Sequence, residues 1–333
     1  MQYNGNRVDG LGMVKRTAAT NAIFNVVGSY LYLRYARLML QFRRKMGYWP
    51  NVSRPIRYNE KLLWRKLFDH DPRFTRLSNR AYAQEYLVEK AGGKASFAPR
   101  IWIGDEIEAM PDEVFQSPTV LKALHGSGWN FFIEDDQVER SSIRKLARSW
   151  LTRRYGRVHH EWAYFGVKPG LIAEKMLVSK DGSPLIELKF HACNGKVVMC
   201  FVMTNPKRPG ARYAIFDRDG NKLSARAAVV YENDDDMLPA DYELPQTFFD
   251  AREIVETASK GIDYARYDVM SVNSEIFAGE ITIYCCGGYA AYNTAEIEQR
   301  LTADWNLRDS WFLTTPQTGW RQLYAQALQG NLA

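Results

Sequence analysis

The chain is poor in the residues that mark a sequence for one narrow purpose. Its four cysteines (Cys193, Cys200, Cys285 and Cys286) form no C-x-x-C pair and no regular spacing, so neither a zinc cluster nor a disulfide framework is signalled and reduced, partly buried thiols are expected. No stretch reaches the ~18 consecutive apolar residues of a membrane span; the nearest approach, Ala22 to Leu33, is interrupted by Asn25, Gly28 and Ser29. A secretory cleavage pattern, a G-x-x-x-x-G-K-[ST] loop, internal repeats and low-complexity linkers are also missing. Acid is scarce at one end: residues 1–50 hold Asp9 against eight Lys or Arg, a net +7, while the other 283 residues sum to −1. A nucleic-acid reader spreads its cations over the folded body, so nucleic acid is not expected as a partner. The expected compartment is the cytoplasm.

What is present is ordinary globular material. The 333 residues are 46% hydrophobic and 25% charged, which fits a folded enzyme or binding protein of two or three domains. From Ile23 the positions Val27, Leu31, Tyr35, Leu38, Phe42 and Met46 recur at spacings of four or three, a helical stripe with Arg34, Arg37 and Arg44 off it. Such a stripe either packs on the domain behind it or lies on an anionic bilayer, and residues 15–46 carry both readings. Asn59 can cap a helix that stops before Pro72, and Ser78 another that Gly92 and Gly93 close.

Beyond residue 95 the pattern turns to short strands: Pro99 to Gly104, Thr119 to Leu124 and Phe131 to Glu134, then a helix from Ser141 to Tyr155. Leu171 to Val178, Leu185 to Ala192 and Lys196 to Met203 follow, joined by Asp181-Gly182 and Asn194-Gly195, which predicts an antiparallel meander. Asp219-Gly220 suggests another hairpin, Thr247 to Lys260 a helix, and Tyr264 to Val272 with Glu275 to Tyr284 a last strand pair. The class is α+β with mainly antiparallel sheets.

Three constellations could carry chemistry. In Lys122 to Asn130 the small residues Gly126, Ser127 and Gly128 allow backbone N–H groups close to an oxyanion, with Lys122 as a point charge; a plain tight hairpin is the alternative. On Leu185 to Ala192 alternation puts Glu187, Lys189 and His191 on one face, which either meets water or lines a polar cleft. In the last pair Arg266 and Asp268 share a face, as do Glu280, Thr282 and Tyr284. A three-residue loop, Asn273-Ser274-Glu275, would place Asp268 opposite Glu280, whereas a two-residue turn would oppose it to Gly279 and send the carboxylates to opposite faces. Two converging carboxylates suit Mg²⁺, which takes one or two acids plus phosphates and water; the alternative is a cross-strand arginine–carboxylate network.

Together these residues resemble the TupA-like ATP-grasp family, the branch of the ATP-grasp superfamily named after teichuronopeptide biosynthesis. The resemblance runs from Arg57 to Tyr289 through Tyr58-Asn59-Glu60-Lys61-Leu62, Leu121-Lys122 with His125-Gly126-Ser127-Gly128, Glu161-Trp162 with Tyr164, and Ile172-Ala173-Glu174-Lys175-Met176-Leu177. It continues with Leu188-Lys189-Phe190, Asn194-Gly195-Lys196, Arg266-Tyr267-Asp268 and Gly279-Glu280-Ile281-Thr282. It implies an ATP-grasp fold, two α+β lobes clasping ATP and Mg²⁺, behind a basic N-terminal helix. The expected segments are 1–50, a basic amphipathic N-terminal helix; 51–115, a helical region; 116–290, the nucleotide-binding lobes; and 291–333, a helical tail.

The resemblance also implies roles. Lys122 and Lys189 would bind phosphates, as would Arg80, which stands where the family has lysine. The hairpin of His125, Gly126, Ser127 and Gly128 would close over the phosphates as a flap, with His125 also a catalytic group. Glu174, Lys175 and Leu177 would form the adenine hinge. Arg266 would steady the transferring phosphoryl group, and Asp268, Glu280 and Thr282 would hold magnesium. The implied activity is an ADP-forming carboxylate–amine ligase acting on a uronic acid and an amine or amino acid in surface-polysaccharide assembly, with peripheral association at the inner face of the membrane. A phosphotransferase acting on a sugar hydroxyl, or a non-catalytic glycan-assembly or membrane-surface protein, are the alternatives. Arg208 to Arg212 and Asp234 to Asp241 are candidate substrate loops.

Overall fold

A computed structural model describes residues 18–116, 118–134, 138–180, 182–225 and 236–332. The leader through Thr17, Asp181 of the predicted turn, and Asp234 and Asp235 lie outside the described residues. Helix α1 (Ala18–Arg34) and helix α2 (Ala36–Met46) divide the predicted N-terminal helix at Tyr35, whose φ of −122° and ψ of 34° leave the helical region. The predicted stripe faces inward: Val27, Leu31, Leu38 and Phe42 are buried, joined by Phe24 and Met39. They pack with Tyr58, Leu62, Trp64 and Tyr324, so the packing reading of the stripe holds. No helix among the described residues is long and apolar enough to cross a membrane.

Helix α3 (Tyr58–Leu67) starts one residue before the predicted cap. Asn59 is buried and donates to the Ala290 carbonyl at 2.8 Å. The free N–H groups at this end are taken by the Glu60 carboxylate, which accepts from Asn51, Ile56 and Arg57 at 2.8 to 3.0 Å, a reach-back from the third helical position. After the short α4 (Pro72–Leu77), helix α5 (Arg80–Ala91) is capped by Asn79, not by Ser78: the Asn79 side chain accepts from the Tyr82 N–H. Gly92, at φ 57°, closes it.

Strands β1 (Arg100–Gly104), β2 (Thr119–Ala123) and β3 (Asn130–Ile133) precede helix α6 (Arg140–Thr152), which ends three residues short of Tyr155. Then come β4 (Leu171–Lys175), β5 (Ile186–Cys193), β6 (Lys196–Thr204), β7 (Arg212–Asp217) and β8 (Lys222–Leu223). Helix α7 (Gln246–Ala258), β9 (Ala265–Val272), β10 (Glu275–Thr282), α8 (Ala295–Asp304), α9 (Trp311–Thr314) and α10 (Gly319–Gln329) complete the described chain.

The strands form two antiparallel sheets, β1-β4-β2-β3 and β10-β9-β5-β6-β7-β8. The predicted meander is therefore half right. Asn194-Gly195 does join β5 to β6 in a hairpin, but β4 pairs with β1 and β2, so the segment after it crosses from one sheet to the other. The larger sheet lays Leu188, Phe190 and Val202 against Phe248 and Ile254 of α7. The smaller one covers Ile143 and Trp150 of α6 with Leu121, Ala123 and Leu171. The polar faces of both sheets look into one cleft.

Candidate active site

The β9–β10 hairpin decides the geometry of the cleft. Its turn is the two-residue one: Val272 pairs with Glu275, and Asn273 and Ser274 sit at φ 52° and 60°, the doubly left-handed turn that suits the twist of a hairpin. Continued without interruption, that register would point the two carboxylates to opposite faces. It is interrupted. Val269 pairs with Ala278, but Asp268 pairs with Glu280, so Gly279 is the extra residue of a β-bulge. A side chain at position 279 would place its Cβ 2.6 Å from the Asp268 carbonyl oxygen, which is why glycine is required there. The convergence of Asp268 and Glu280 is present, reached by a bulge instead of a longer loop.

Cations close on this pair from three elements. The Lys189 ammonium on β5 lies 2.7 Å from Glu187 and 3.2 Å from Asp268. Arg266 donates to both Asp268 oxygens at 2.6 Å and approaches Glu280 at 3.5 Å. Arg80, in the first turn of α5, meets Glu280 at 2.7 Å. Burial would lift the Asp268 carboxyl, but Arg266 and Lys189 outweigh it and hold the group at about 2. Glu280 is lowered in the same contest, burial opposing and Arg80 the chief counterweight. The face of Glu187 and Lys189 thus lines a cleft. His191 is buried behind it, sharing a 2.8 Å hydrogen bond with the Tyr264 hydroxyl.

The opposite wall comes from the smaller sheet. Lys122 reaches Glu174 at 2.6 Å, and Gln84 donates to the other Glu174 oxygen at 2.7 Å. Glu174 is 1% exposed, so this carboxylate anchors Lys122 at the mouth while the chain from Lys175 to Val178 forms the rim. Asn273 ties that rim to the hairpin, accepting from Lys180 N–H at 2.9 Å and donating to the Val178 carbonyl at 3.2 Å. The cavity between these walls is about 490 Å³.

Lys122→Met would leave Glu174 buried with an unneutralised charge. It should cost about 3 kcal/mol, the low end for a broken buried pair because the Lys122 side chain is 18% exposed. Adding Glu174→Gln should restore most of that stability in denaturant unfolding.

Most of the residues singled out in the sequence line this cavity: Arg80, Lys122, Ser127, Gly128, Glu174, Lys175, Leu177, Lys189, Arg266, Asp268 and Glu280. Three do not. His125 is 3% exposed, facing the Trp150 carbonyl with Nε2 at 3.1 Å and accepting from the Gly170 N–H on Nδ1; both ring nitrogens are occupied at the base of the hairpin, away from the cavity wall. Gly126 sits where a Cβ would lie 2.9 Å from the Trp129 ring, a packing need, not a contact to the cleft. The Thr282 hydroxyl accepts from Arg266 at 3.2 Å and is not on the cavity wall, so it is not placed as a metal ligand.

Gln84, Phe132, Glu187 and Lys207 also line the cavity, and sequence reasoning gave none of them a binding role. Glu187 shares the β5 face, and Lys207 adjoins the predicted Arg208 loop. Gln84 carried no signal of its own on α5. Arg208 lines the rim and pairs with Glu134.

Asp268 and Glu280 supply hard oxygen donors on adjacent strands. No group of three or more His, Cys, Asp or Glu side chains that could hold a metal occurs among the described residues. A two-carboxylate set is incomplete as a protein cage but fits Mg²⁺, which fills its octahedron with phosphate oxygens and water.

Among solved structures, the chain is similar to the D-alanine–D-alanine ligase from Bacillus anthracis complexed with ATP, at 12% identity and TM-score 0.34 over 62% of this chain and 54% of that one. It is also similar to the ATP-grasp ligase PsnB complexed with a phosphomimetic variant of its minimal precursor, Mg and ADP, at 12% identity and TM-score 0.39 over 74% of this chain and 66% of that one. The chain spans about half to two thirds of the length of these structures. No curated protein matches its sequence. The model of the TupA-like ATP-grasp family matches residues 60–305, from the Glu60 cap to Trp305, and with that span taking in both sheets and the whole cleft, the chain belongs to the TupA-like ATP-grasp family.

Proposed function

We propose that the protein is an ADP-forming carboxylate–amine ligase. The observation that carries this reading is the meeting of Arg80, Lys189 and Arg266 on the paired carboxylates Asp268 and Glu280 at the floor of the cleft. A carboxylate resists an amine because it is ionised and its oxide leaves poorly. Transfer of the γ-phosphoryl group of ATP to a carboxylate oxygen releases ADP and yields an acyl phosphate. Attack of the amine nitrogen on the acyl carbon then expels phosphate, forms the amide and releases a proton.

Phosphoryl transfer calls mainly for positioning and charge dispersal. In this reading Lys122 orients the phosphate chain from the mouth and Arg80 from the floor, and Lys189 and Arg266 receive the negative charge of the transferring group. Asp268 holds those two cations in place. The rim from Lys175 to Val178 offers backbone groups to a base edge. Bound magnesium, held by Asp268 and Glu280, would supply further charge neutralisation on the phosphates. For the acceptor we infer a uronic-acid carboxylate in surface-glycan assembly, at the cytoplasmic face where ATP is available. Support comes from the family's resemblance and from Lys207 on the cavity wall, a cation suited to an acidic sugar.

The test incubates the purified protein with ATP, Mg²⁺ and a panel of uronic acids and amines. Amide and ADP that appear together, need both co-substrates, vanish with EDTA and return with added Mg²⁺ are expected. ADP with a phosphorylated sugar would make the protein a phosphotransferase instead.

A further inference from the structure

Helix α1 has two apolar faces. One, Phe24, Val27 and Leu31, is buried in the core. The other is open: Val26, Tyr30 and Leu33, at helical spacings of four and three, are 69%, 48% and 83% exposed. Helix α10 continues this face. Its Trp320 and Leu323 are 47% and 57% exposed, and the Trp320 ring lies 5.8 Å from that of Tyr30. An exposed patch that spans two packed helices is a binding surface, whereas a scattered apolar residue is not.

The charge around the patch has one sign. Residues 18–59 and 310–332, which build α1, α2, α9 and α10, contain eight Lys or Arg and no Asp or Glu. Arg34, Arg37, Arg43, Arg44 and Lys45 are all exposed. The rest of the body is close to neutral. A second copy of the chain is a poor occupant, because a two-fold contact would press like charges together. A nucleic acid would match the charge but not the apolar centre. Leucine and valine flanked by tryptophan and tyrosine, with arginines at the border, is the composition that seats a helix at the boundary between headgroups and acyl chains.

We propose that α1 and α10 form a docking face for an anionic lipid bilayer, with Val26, Leu33 and Leu323 entering the acyl boundary and the arginines of α1 and α2 meeting acidic headgroups. This does not depend on what the cleft catalyses. The docking face is not the stripe that periodicity in the sequence singled out, since that stripe lies in the core.

The experiment is co-sedimentation of the full chain with vesicles. Binding to phosphatidylcholine vesicles containing phosphatidylglycerol, absent with phosphatidylcholine alone and weakened by salt, is expected. The triple variant Val26→Ser, Leu33→Ser, Leu323→Ser changes only exposed side chains. It should lose at least about tenfold in vesicle affinity while its melting temperature and nucleotide binding stay as in the wild type. Arg37→Glu with Arg44→Glu should lose the preference for acidic lipid, by about fivefold per residue. Failure of the wild type to sediment with acidic vesicles would overturn the proposal. So would equal binding by the triple variant, or a concentration-dependent dimer that the triple variant abolishes.

Discussion

Asp268→Asn is expected to lower ATP-dependent turnover by about 10²- to 10³-fold, the scale of losing one preorganised electrostatic partner of a transferring group, and to abolish the gain in ADP affinity that Mg²⁺ confers. Asparagine keeps the shape and can still accept from Arg266, but it removes the charge that faces both Arg266 and Lys189 at 2.6 and 3.2 Å. Three cations, Arg80, Lys189 and Arg266, then share a buried floor with Glu280 and Glu187 as the remaining acids.

Because Asp268 is held at about 2, it is ionised at any pH used in an assay, so the variant should be impaired by the same factor from pH 5 to pH 9. Its contribution to folding has the matching sign. The depressed value stabilises the native state above the unfolded value near 3.8, and that stability is lost as pH falls toward 2. Equilibrium binding of ADP with and without Mg²⁺, alongside thermal melting, separates loss of the metal contribution from loss of fold. Unchanged Mg²⁺ dependence in a folded Asp268→Asn protein would remove the residue from the site.

Strands and helices were largely legible because their signals are local. Alternation placed β5, β9 and β10 to within a residue or two, and Asn194-Gly195 located its hairpin. Sheet membership is not local: nothing in Leu171 to Val178 says that its partners are β1 and β2 on the far side of the cleft. Capping shifted by a residue at Asn59 and Ser78 because nearby side chains, Glu60 and Asn79, had better reach to the free N–H groups.

His125 looked catalytic through its neighbours in sequence. Its surroundings are set by α6 and the residue before β4, brought together only by folding. The open face of α1 was hidden for a similar reason. A helix apolar on most of its circumference offers several stripes, and only packing in the folded core decides which one is buried. The bulge is the opposite case, since a lone glycine inside a strand pattern is a recognised mark of one.

That glycine carries the second large effect. Gly279→Ala should reduce turnover by about 10²-fold, the consequence of misplacing a reacting constellation by ~1 Å, and cost about 1–3 kcal/mol of stability as an overpacked contact. The added Cβ would meet the Asp268 carbonyl oxygen at 2.6 Å and its carbon at 3.2 Å, both backbone atoms that cannot turn aside as a side chain would.

Nor can β10 retreat freely, because Ser96 holds its outer edge at Ala278 through a 2.7 Å hydrogen bond. The strain is therefore expected to fall on the pairing of Asp268 with Glu280 itself. Deleting Gly279 should do less harm: the two-residue turn would then run its register unbroken, and Glu280 would fall directly opposite Asp268 on the same face. That protein should melt cooperatively and keep Mg²⁺-dependent nucleotide binding. Gly330→Ala is the matched control, since neither glycine has a left-handed φ and a Cβ at 330 meets nothing closer than the Gln326 carbonyl oxygen at 3.5 Å. Full activity in both alanine variants would mean that the bulge does not set the distance between the two carboxylates.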